Sequence, residues 1–196
     1  GYGFAALPGQ KVGQDVYGPY EVDRDWPKPL TSLPGHEKWT WGPVESVYAE
    51  SPNRVFILER GELPNLKRPA EVPYPAVGPS ISFPVAAAPW RNASVGPLRA
   101  GNPGPWIGKL GVDARWEHCI VVFDSTGKVI EDWTQWDKLL KRPHYIGISP
   151  YDPEKHVWVV DDQSHAVYEF SHDGKQLVQT LGTPNQPGLD DRHFNR

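Results

Sequence analysis

The chain has 196 residues, of which 22 are Pro and 19 are Gly, so short strands with many turns are favoured over long regular helices. No stretch approaches the roughly 18 consecutive apolar residues that a membrane-spanning helix needs. The 20 basic and 24 acidic residues give a net charge of −4 without a long run of Lys or Arg, which argues against a nucleic-acid partner.

Residues 1–42 are the first segment, which we predict to be an irregular leader. They carry Trp26, Trp39 and Trp41 among many Pro and Gly residues but show no sustained hydrophobic period, so we expect them to cover apolar surface built elsewhere. The chain contains no Met and opens on Gly1 without a charged and apolar signal segment. We therefore expect a processed chain or a fragment, secreted or periplasmic, from which a signal peptide has been removed.

Two pairs of strands are predicted between residues 43 and 142. They are Val44–Ala49 with Val55–Leu58, and His118–Asp124 with Lys128–Trp133. Runs of Val, Ile and Phe bounded by turn residues, among them Gly127, are typical of β-strands. The intervening residues 61–115 hold ten of the 22 prolines, and we predict that they form an insertion or a long loop and not a separate core.

The same order of strands recurs in the last third of the chain. The second set is His144–Ser149, Val157–Val160, Ala166–Phe170 and Lys175–Thr180. Gly127 follows Phe123 by four residues, Gly174 follows Phe170 by four, and a Lys follows each Gly. A repeat of about 40 residues with four antiparallel strands is typical of one propeller blade. Two similar hairpin pairs in a β-sandwich are the alternative.

We therefore predict an all-β fold, a β-propeller of which about two four-stranded blades are present. The first blade takes residues 43–142 with the insertion at 61–115, and the second takes 143–196 with the start of a link to a missing third blade. Six blades of about 40 residues need roughly 240 residues. The chain is accordingly expected to be a fragment or to be completed by another chain.

Several stretches of the repeat carry a resemblance to a known family. Residues 142–149 (RPHYIGIS), 156–162 (HVWVVDD) and 166–170 (AVYEF) resemble an NHL-type blade. Together with the TLG, QPG and HF motifs between residues 180 and 194, and residues 55–61 (VFILERG), they resemble more closely the peptidyl-α-hydroxyglycine α-amidating lyases. The resemblance covers about residues 44–60 and 118–196, in the N-terminal portion of that fold.

The resemblance implies specific site residues. In this family a zinc ion in the central channel is bound by three His that each follow a Pro, and His144 matches the first of them. Arg60 matches an Arg that holds the substrate or its developing charge. Val47 and Ile146 match positions whose main-chain carbonyls hold a structural calcium ion. The resemblance therefore implies zinc and calcium as cofactors, a peptide substrate, and further ligands from later blades.

Other polar and aromatic residues favour structural roles. Cys119 lies in an apolar run and is expected to be a buried thiol. The Asp161-Asp162 pair is expected to be a solvated turn between strands. Trp133 and Trp136 could stack on a ligand, although packing against the first blade is the favoured interpretation.

The repeat and the family resemblance support two functional hypotheses of different classes. The first is a metal-dependent peptidylamidoglycolate lyase, in which Arg60 and His144 belong to the active site. The second is a non-catalytic propeller that acts as a protein-binding or assembly subunit, with its insertion used for contacts. Fold alone does not decide between them.

Overall fold

A computed structural model describes residues 23, 25–65, 71–73, 82–84, 115–190 and 194 of the chain. The chain divides into two compact units, one of residues 1–24 and 66–90 and the other of residues 25–65 and 91–196. Most of the predicted leader, most of the 61–115 insertion and residues 191–193 and 195–196 lie outside the described residues. The described residues form β-strands and two short 3-10 helices, with no α-helix among them.

The first four-stranded sheet belongs to the second unit and is antiparallel. Its strands are β2 (Val44–Ser51), β3 (Arg54–Glu59), β7 (Ile120–Phe123) and β8 (Val129–Asp132). They pair in the order β2-β3-β7-β8, with Val47 opposite Ile57 and Ile57 opposite Val121. The strand β3 is apolar along nearly its whole length because both faces of this sheet are covered.

The second four-stranded sheet repeats this arrangement in the same unit. Its strands are β9 (Pro143–Ile148), β10 (Val157–Asp161), β11 (Ala166–Phe170) and β12 (Leu177–Leu181). They pair in chain order, with Ile146 opposite Val159 and Val159 opposite Tyr168. Each sheet is thus a meander of four antiparallel strands.

Two smaller sheets complete the described strands. In the second unit β1 (Trp39–Trp41) pairs with β4 (Glu62–Pro64), and the 3-10 helices are Leu30–Ser32 and Thr134–Trp136. In the first unit β5 (Glu71–Pro73) pairs with β6 (Ser82–Pro84). Short strands therefore occur inside segments that were predicted to be an irregular leader and a long loop.

The main core lies between the two four-stranded sheets. Phe56 and Leu58 of the first sheet and Val159 and Tyr168 of the second contribute buried side chains to one cluster, together with Trp133. The Trp133 ring lies 5.7 Å from Phe56 and 5.9 Å from Phe170, measured between ring centroids. Since side chains alternate across a strand, each sheet presents one set of apolar residues to the other.

A second apolar cluster covers the opposite face of the first sheet. Val55, Ile57, Val121 and Phe123 are its buried members, and Trp26 and Trp41 pack against them. The Trp26 indole also donates a hydrogen bond to the Asp124 carbonyl, at 3.0 Å. The described end of the leader therefore covers apolar surface of the sheet, as predicted.

The all-β fold class is confirmed, and each of the eight predicted strands coincides with a strand of the two meanders. Gly127 and Gly174 both have positive φ, 79° and 69°, in the turns that their matching offsets indicated. Cys119 is buried and free, as expected. The propeller architecture and the domain boundaries stay predictions.

Candidate functional site

The fold brings Arg60 and His144 together although 84 residues separate them in the chain. Arg60 follows the last residue of β3, and its backbone N–H donates to the Pro43 carbonyl at 3.0 Å. His144 is the second residue of β9, which lies beside β2. The Arg60 Nη2 atom lies 2.8 Å from His144 Nε2 and 3.2 Å from Nδ1. The two residues that the resemblance assigns to the active site are therefore in contact.

Two carboxylates flank this pair. Glu45 pairs with Arg60 Nε at 3.2 Å and lies 3.5 Å from His144 Nδ1. Asp162 lies 3.6 Å from His144 Nε2 and forms a two-point ion pair with Arg142. We call Glu45, Arg60, Arg142, His144 and Asp162 the His144 cluster. It combines two guanidinium groups with two carboxylates around one imidazole.

The pKa values of the two arginines in the His144 cluster shift in opposite directions. Burial lowers the pKa of Arg60, although the charge of Glu45 opposes that shift. The hydrogen bond to Asp162 raises the pKa of Arg142. Arg142 is therefore committed to Asp162, whereas Arg60 is the arginine that contacts the imidazole.

Asp161 corrects one expectation. It is fully buried, while a solvated turn had been predicted. Its carboxylate accepts hydrogen bonds from the backbone N–H groups of Lys141, Arg142 and Ser164 at 2.5 to 3.0 Å. A buried carboxylate of this kind is stable because backbone donors satisfy it. Asp161 therefore fixes the chain just before β9 and positions His144.

The His144 cluster fits a zinc ion only in part. Zinc sites use three or four protein ligands, and the cluster supplies a single imidazole. Glu45 and Asp162 lie next to different ring nitrogens, so they do not converge on one point with the ring. Zinc at this position therefore requires ligands from outside the described residues.

The two residues predicted to hold calcium lie close together. The Ile146 N–H donates a hydrogen bond of 3.2 Å to Ser46 Oγ, and Ser46 is the neighbour of Val47 in β2. The Ile146 side chain is buried, and that of Val47 is 55% exposed. The predicted calcium ligands are main-chain carbonyl oxygens. Their positions are set by the strands and do not depend on the burial of these two side chains.

A second cluster was not predicted from the sequence. Glu62 is fully buried, and its Oε1 atom lies 2.8 Å from His36 Nδ1 and 2.5 Å from His118 Nδ1. Its Oε2 atom accepts hydrogen bonds from Arg115 Nε at 3.0 Å and Nη2 at 2.6 Å. We call His36, Glu62, Glu117 and His118 the Glu62 cluster, with Arg115 beside it. Its members have no motif spacing, since 56 residues separate Glu62 from His118.

The charges in the Glu62 cluster stabilise each other. Burial alone would raise the pKa of Glu62, but hydrogen bonds from His118, Arg115 and His36 outweigh it and lower that pKa. Burial alone would lower the pKa of His118, but the hydrogen bond to Glu62 and nearby carboxylates raise it. The cluster is thus a satisfied, largely buried ionic network.

Two further buried acids lie near the Glu62 cluster. Neither carboxyl oxygen of Glu59 has a hydrogen-bond partner among the described residues. Burial and the charge of Glu62 raise its pKa well above the ordinary value, although the Gly42 amide acts in the opposite direction. Glu59 also lines a cavity of about 200 Å³, together with Trp26 and Trp41.

Asp137 is the other buried acid. Burial raises its pKa to about 6, and hydrogen bonds from the backbone amides of Cys119 and His118 oppose this shift.

The described fold defines an all-β protein of antiparallel sheets that carries the His144 cluster and the Glu62 cluster. Within the part of the chain that the structure describes, no helix is both long and apolar enough to cross a membrane. No known family model and no curated protein matches the chain.

Proposed function

We propose that the two meanders are neighbouring blades of an NHL-type β-propeller. Three observations support this architecture. The sheets have the same strand order, they pack face to face, and their first strands, β2 and β9, lie side by side. In a propeller the first strand of every blade lines the central channel, so adjacent first strands are expected. The unit completing the ring would be the rest of the propeller or another chain.

We propose further that this channel holds a peptidylamidoglycolate lyase site. The observation that carries the proposal is the contact of Arg60 with His144 at the ends of adjacent sheets. The reaction cleaves the C–N bond of a peptidyl-α-hydroxyglycine: the hydroxyl loses its proton, glyoxylate forms, and the departing amide nitrogen gains a proton. The substrate ends in a carboxylate, which an arginine fork binds through two hydrogen bonds.

Arg60 is the group proposed to bind that carboxylate. The Arg60 Nε atom lies 3.2 Å from a carboxylate oxygen of Glu45, and this ion pair orients the guanidinium. The His144 side chain is 44% exposed, and a bound ion would replace Arg60 at one of its ring nitrogens. When bound, zinc would act as a Lewis acid that lowers the pKa of a hydroxyl group. The His144 cluster supplies one imidazole toward such an ion.

The same family resemblance suggests a calcium site, a localisation and further zinc ligands. Calcium would bind the carbonyls of Val47 and Ile146, which lie on the adjacent strands β2 and β9. The protein would be secreted or periplasmic, where peptide substrates of this kind are met. The other zinc ligands would come from later blades.

The test is metal content combined with turnover in the complete polypeptide. His144→Ala is expected to lower bound zinc and to abolish glyoxylate release, because it removes one metal ligand. Arg60→Ala is expected to raise KM for the hydroxyglycine substrate while zinc stays bound. His172→Ala is the matched control, since that ring pairs with Glu50 away from the His144 cluster. Zinc content that does not depend on His144 would overturn the lyase proposal.

A specific observation favours the alternative, a non-catalytic binding or assembly subunit. Val44, Val47 and Tyr145 leave about half of their side chains exposed, on strands β2 and β9. Exposed apolar residues that lie close together are typical of surfaces that contact another protein. A complete polypeptide that binds no zinc and releases no glyoxylate, yet forms a stable complex through these residues, would support this function.

A further inference from the structure

The Glu62 cluster places two imidazole nitrogens on one carboxylate oxygen. Both His36 Nδ1 and His118 Nδ1 lie within 2.8 Å of Glu62 Oε1. One potential ligand atom from each of His36, Glu62, Glu117 and His118 lies within 4.8 Å of all the others. We propose that His36, Glu62 and His118 bind a divalent transition metal of the zinc class, with Glu117 as the fourth ligand. This site is separate from the lyase proposal and does not depend on it.

The donor set selects the class of metal. Two imidazoles and one carboxylate are a ligand combination that zinc uses in proteins. Calcium and magnesium prefer oxygen ligands throughout, so two imidazole donors disfavour both. The cluster therefore fits a borderline transition metal better than a hard cation.

A support outside the ligands holds Glu62 in place. Arg115 donates two hydrogen bonds to Glu62 Oε2, from Nε and Nη2, so Glu62 Oε1 faces the two histidines. The His118 backbone N–H donates to Asp137 Oδ2 at 3.0 Å, in a left-handed conformation with φ of 59°. Such partners orient metal ligands and raise affinity.

Metal binding requires a small, defined rearrangement. Tetrahedral zinc with bonds of about 2.0–2.1 Å places its ligand atoms about 3.3 Å apart, whereas the donors now lie 2.5 and 2.8 Å apart. The two donor pairs must open by about 0.8 and 0.5 Å, and any proton that an Nδ1 atom donates to Glu62 must leave to solvent. Arg115 Nη2, now 2.7 Å from His36 Nδ1, would keep only its bonds to Glu62.

The site is also reachable. The His36 side chain is 15% exposed and Glu117 is exposed, whereas Glu62 is fully buried. A metal ion can therefore approach from the His36 and Glu117 side, with Glu62 at the base of the site.

The test titrates the chelator-treated protein with Co²⁺, followed by visible absorption, and then with Zn²⁺ in competition with a chromogenic chelator. We expect one equivalent that depends on His36, in addition to any metal that depends on His144, and a tetrahedral cobalt spectrum for that equivalent. His36→Ala and Glu62→Gln are each expected to weaken binding by more than the roughly 10–100-fold that loss of an outer partner costs. His36 is partly exposed, so His36→Ala keeps the test valid if Glu62→Gln fails to fold.

Control variants separate this site from others. His156→Ala lies in another group of potential ligands, with Asp152 and Glu169, and is expected to leave the stoichiometry and affinity unchanged. If binding depends on His144 and not on His36, the present proposal is wrong while the lyase proposal stands. If binding depends on His36 and not on His144, this site is supported and the lyase proposal loses its metal. Binding that none of the variants alters, or no tight binding at all, overturns the Glu62 site.

Discussion

Glu59 carries a carboxyl group in a buried position that disfavours its ionised form. It is the last residue of β3. Because side chains alternate along a strand, it lies on the same face of the first sheet as Val55 and Ile57, the face that Trp26 and Trp41 cover. Its side chain is 1% exposed, and in the part of the chain that the structure describes neither carboxyl oxygen has a hydrogen-bond partner. An ionised carboxylate in such a place is strongly disfavoured, so burial favours the protonated form.

Replacing this group tests that cost directly. Because the pKa of Glu59 is raised in the folded protein, its effect on stability is small below its ordinary pKa and grows as pH rises toward the raised value. Glu59→Gln is therefore expected to increase the free energy of unfolding by about 1–3 kcal/mol at pH 8, the scale of an unpaired buried polar group, and to change it little at pH 4.

Urea denaturation at the two pH values gives this comparison. Glu154→Gln is the control, since Glu154 is exposed and its variant should change stability little at either pH. A Glu59→Gln protein that is less stable than the wild type at pH 8 would show that the carboxylate is paired in the folded protein.

At this scale the sequence predicts only part of the chemistry. Arg60 and His144 were named from motif resemblance, and the fold does place them in contact. The Glu62 cluster could not be found, because His36 lies in a segment without periodicity and His118 in a strand start. Only the pairing of β1 with β4 and of β3 with β7 brings these positions together.

Among the elements, the turns that close β7-β8 and β11-β12 are matched in sequence but not in surroundings. A Cβ atom on Gly174 would overlap the Trp133 indole ring, whereas a Cβ on Gly127 would lie 2.9 Å from the Lys28 backbone nitrogen and 3.1 Å from Trp26. Gly35 also has positive φ, 84°, but has open space around it. A side chain at Gly35 would meet backbone strain alone, whereas one at Gly127 or Gly174 would meet backbone strain and steric overlap.

Alanine at Gly35 and at Gly174 should therefore differ in its cost. Gly35→Ala is expected to cost about 1–2 kcal/mol, the cost of a left-handed residue with a side chain. Gly174→Ala should add a further 1–3 kcal/mol or so from overpacking against Trp133. Thermal and chemical denaturation measure this order, and a Gly174→Ala protein as stable as Gly35→Ala would contradict the packing.

The strands themselves were predictable because their Val, Ile and Phe residues alternate or run continuously between turn residues. The short strand β4 was not, since Glu62–Pro64 contains a Pro and has no alternation of its own. It forms because β1 lies beside it, with Thr40 opposite Leu63. Tertiary pairing, and not local propensity, decides such strands.

In the whole molecule the two sheets share one core, and Trp133 is its largest buried side chain. It follows the last strand of the first sheet but contacts Phe170 of the second. Charged groups also join the sheets at their edge, where Glu50 contacts Lys155 at 2.7 Å and His172 at 2.8 Å. We expect the two sheets to unfold together.

Trp133→Ala tests this coupling. The change should cost about 3–5 kcal/mol, as truncation of a large core aromatic does. Hydrogen exchange measured by mass spectrometry should show equal protection of β3 and β10 in the wild type and earlier opening of one sheet in the variant. Trp158→Ala is the control, because that indole belongs to neither buried cluster. Unequal protection of the two sheets in the wild type would contradict a shared core.

The position of Trp133 also constrains how the protein can be divided in the laboratory. A boundary drawn in the turn between β8 and β9 looks natural in the sequence, because it separates the two repeats. Expression of either repeat alone would leave Phe56, Trp133 or Phe170 facing water, and such halves are expected to aggregate. Fusion partners, tags and protease sites belong outside residues 25–190, and the smallest useful recombinant piece contains both sheets.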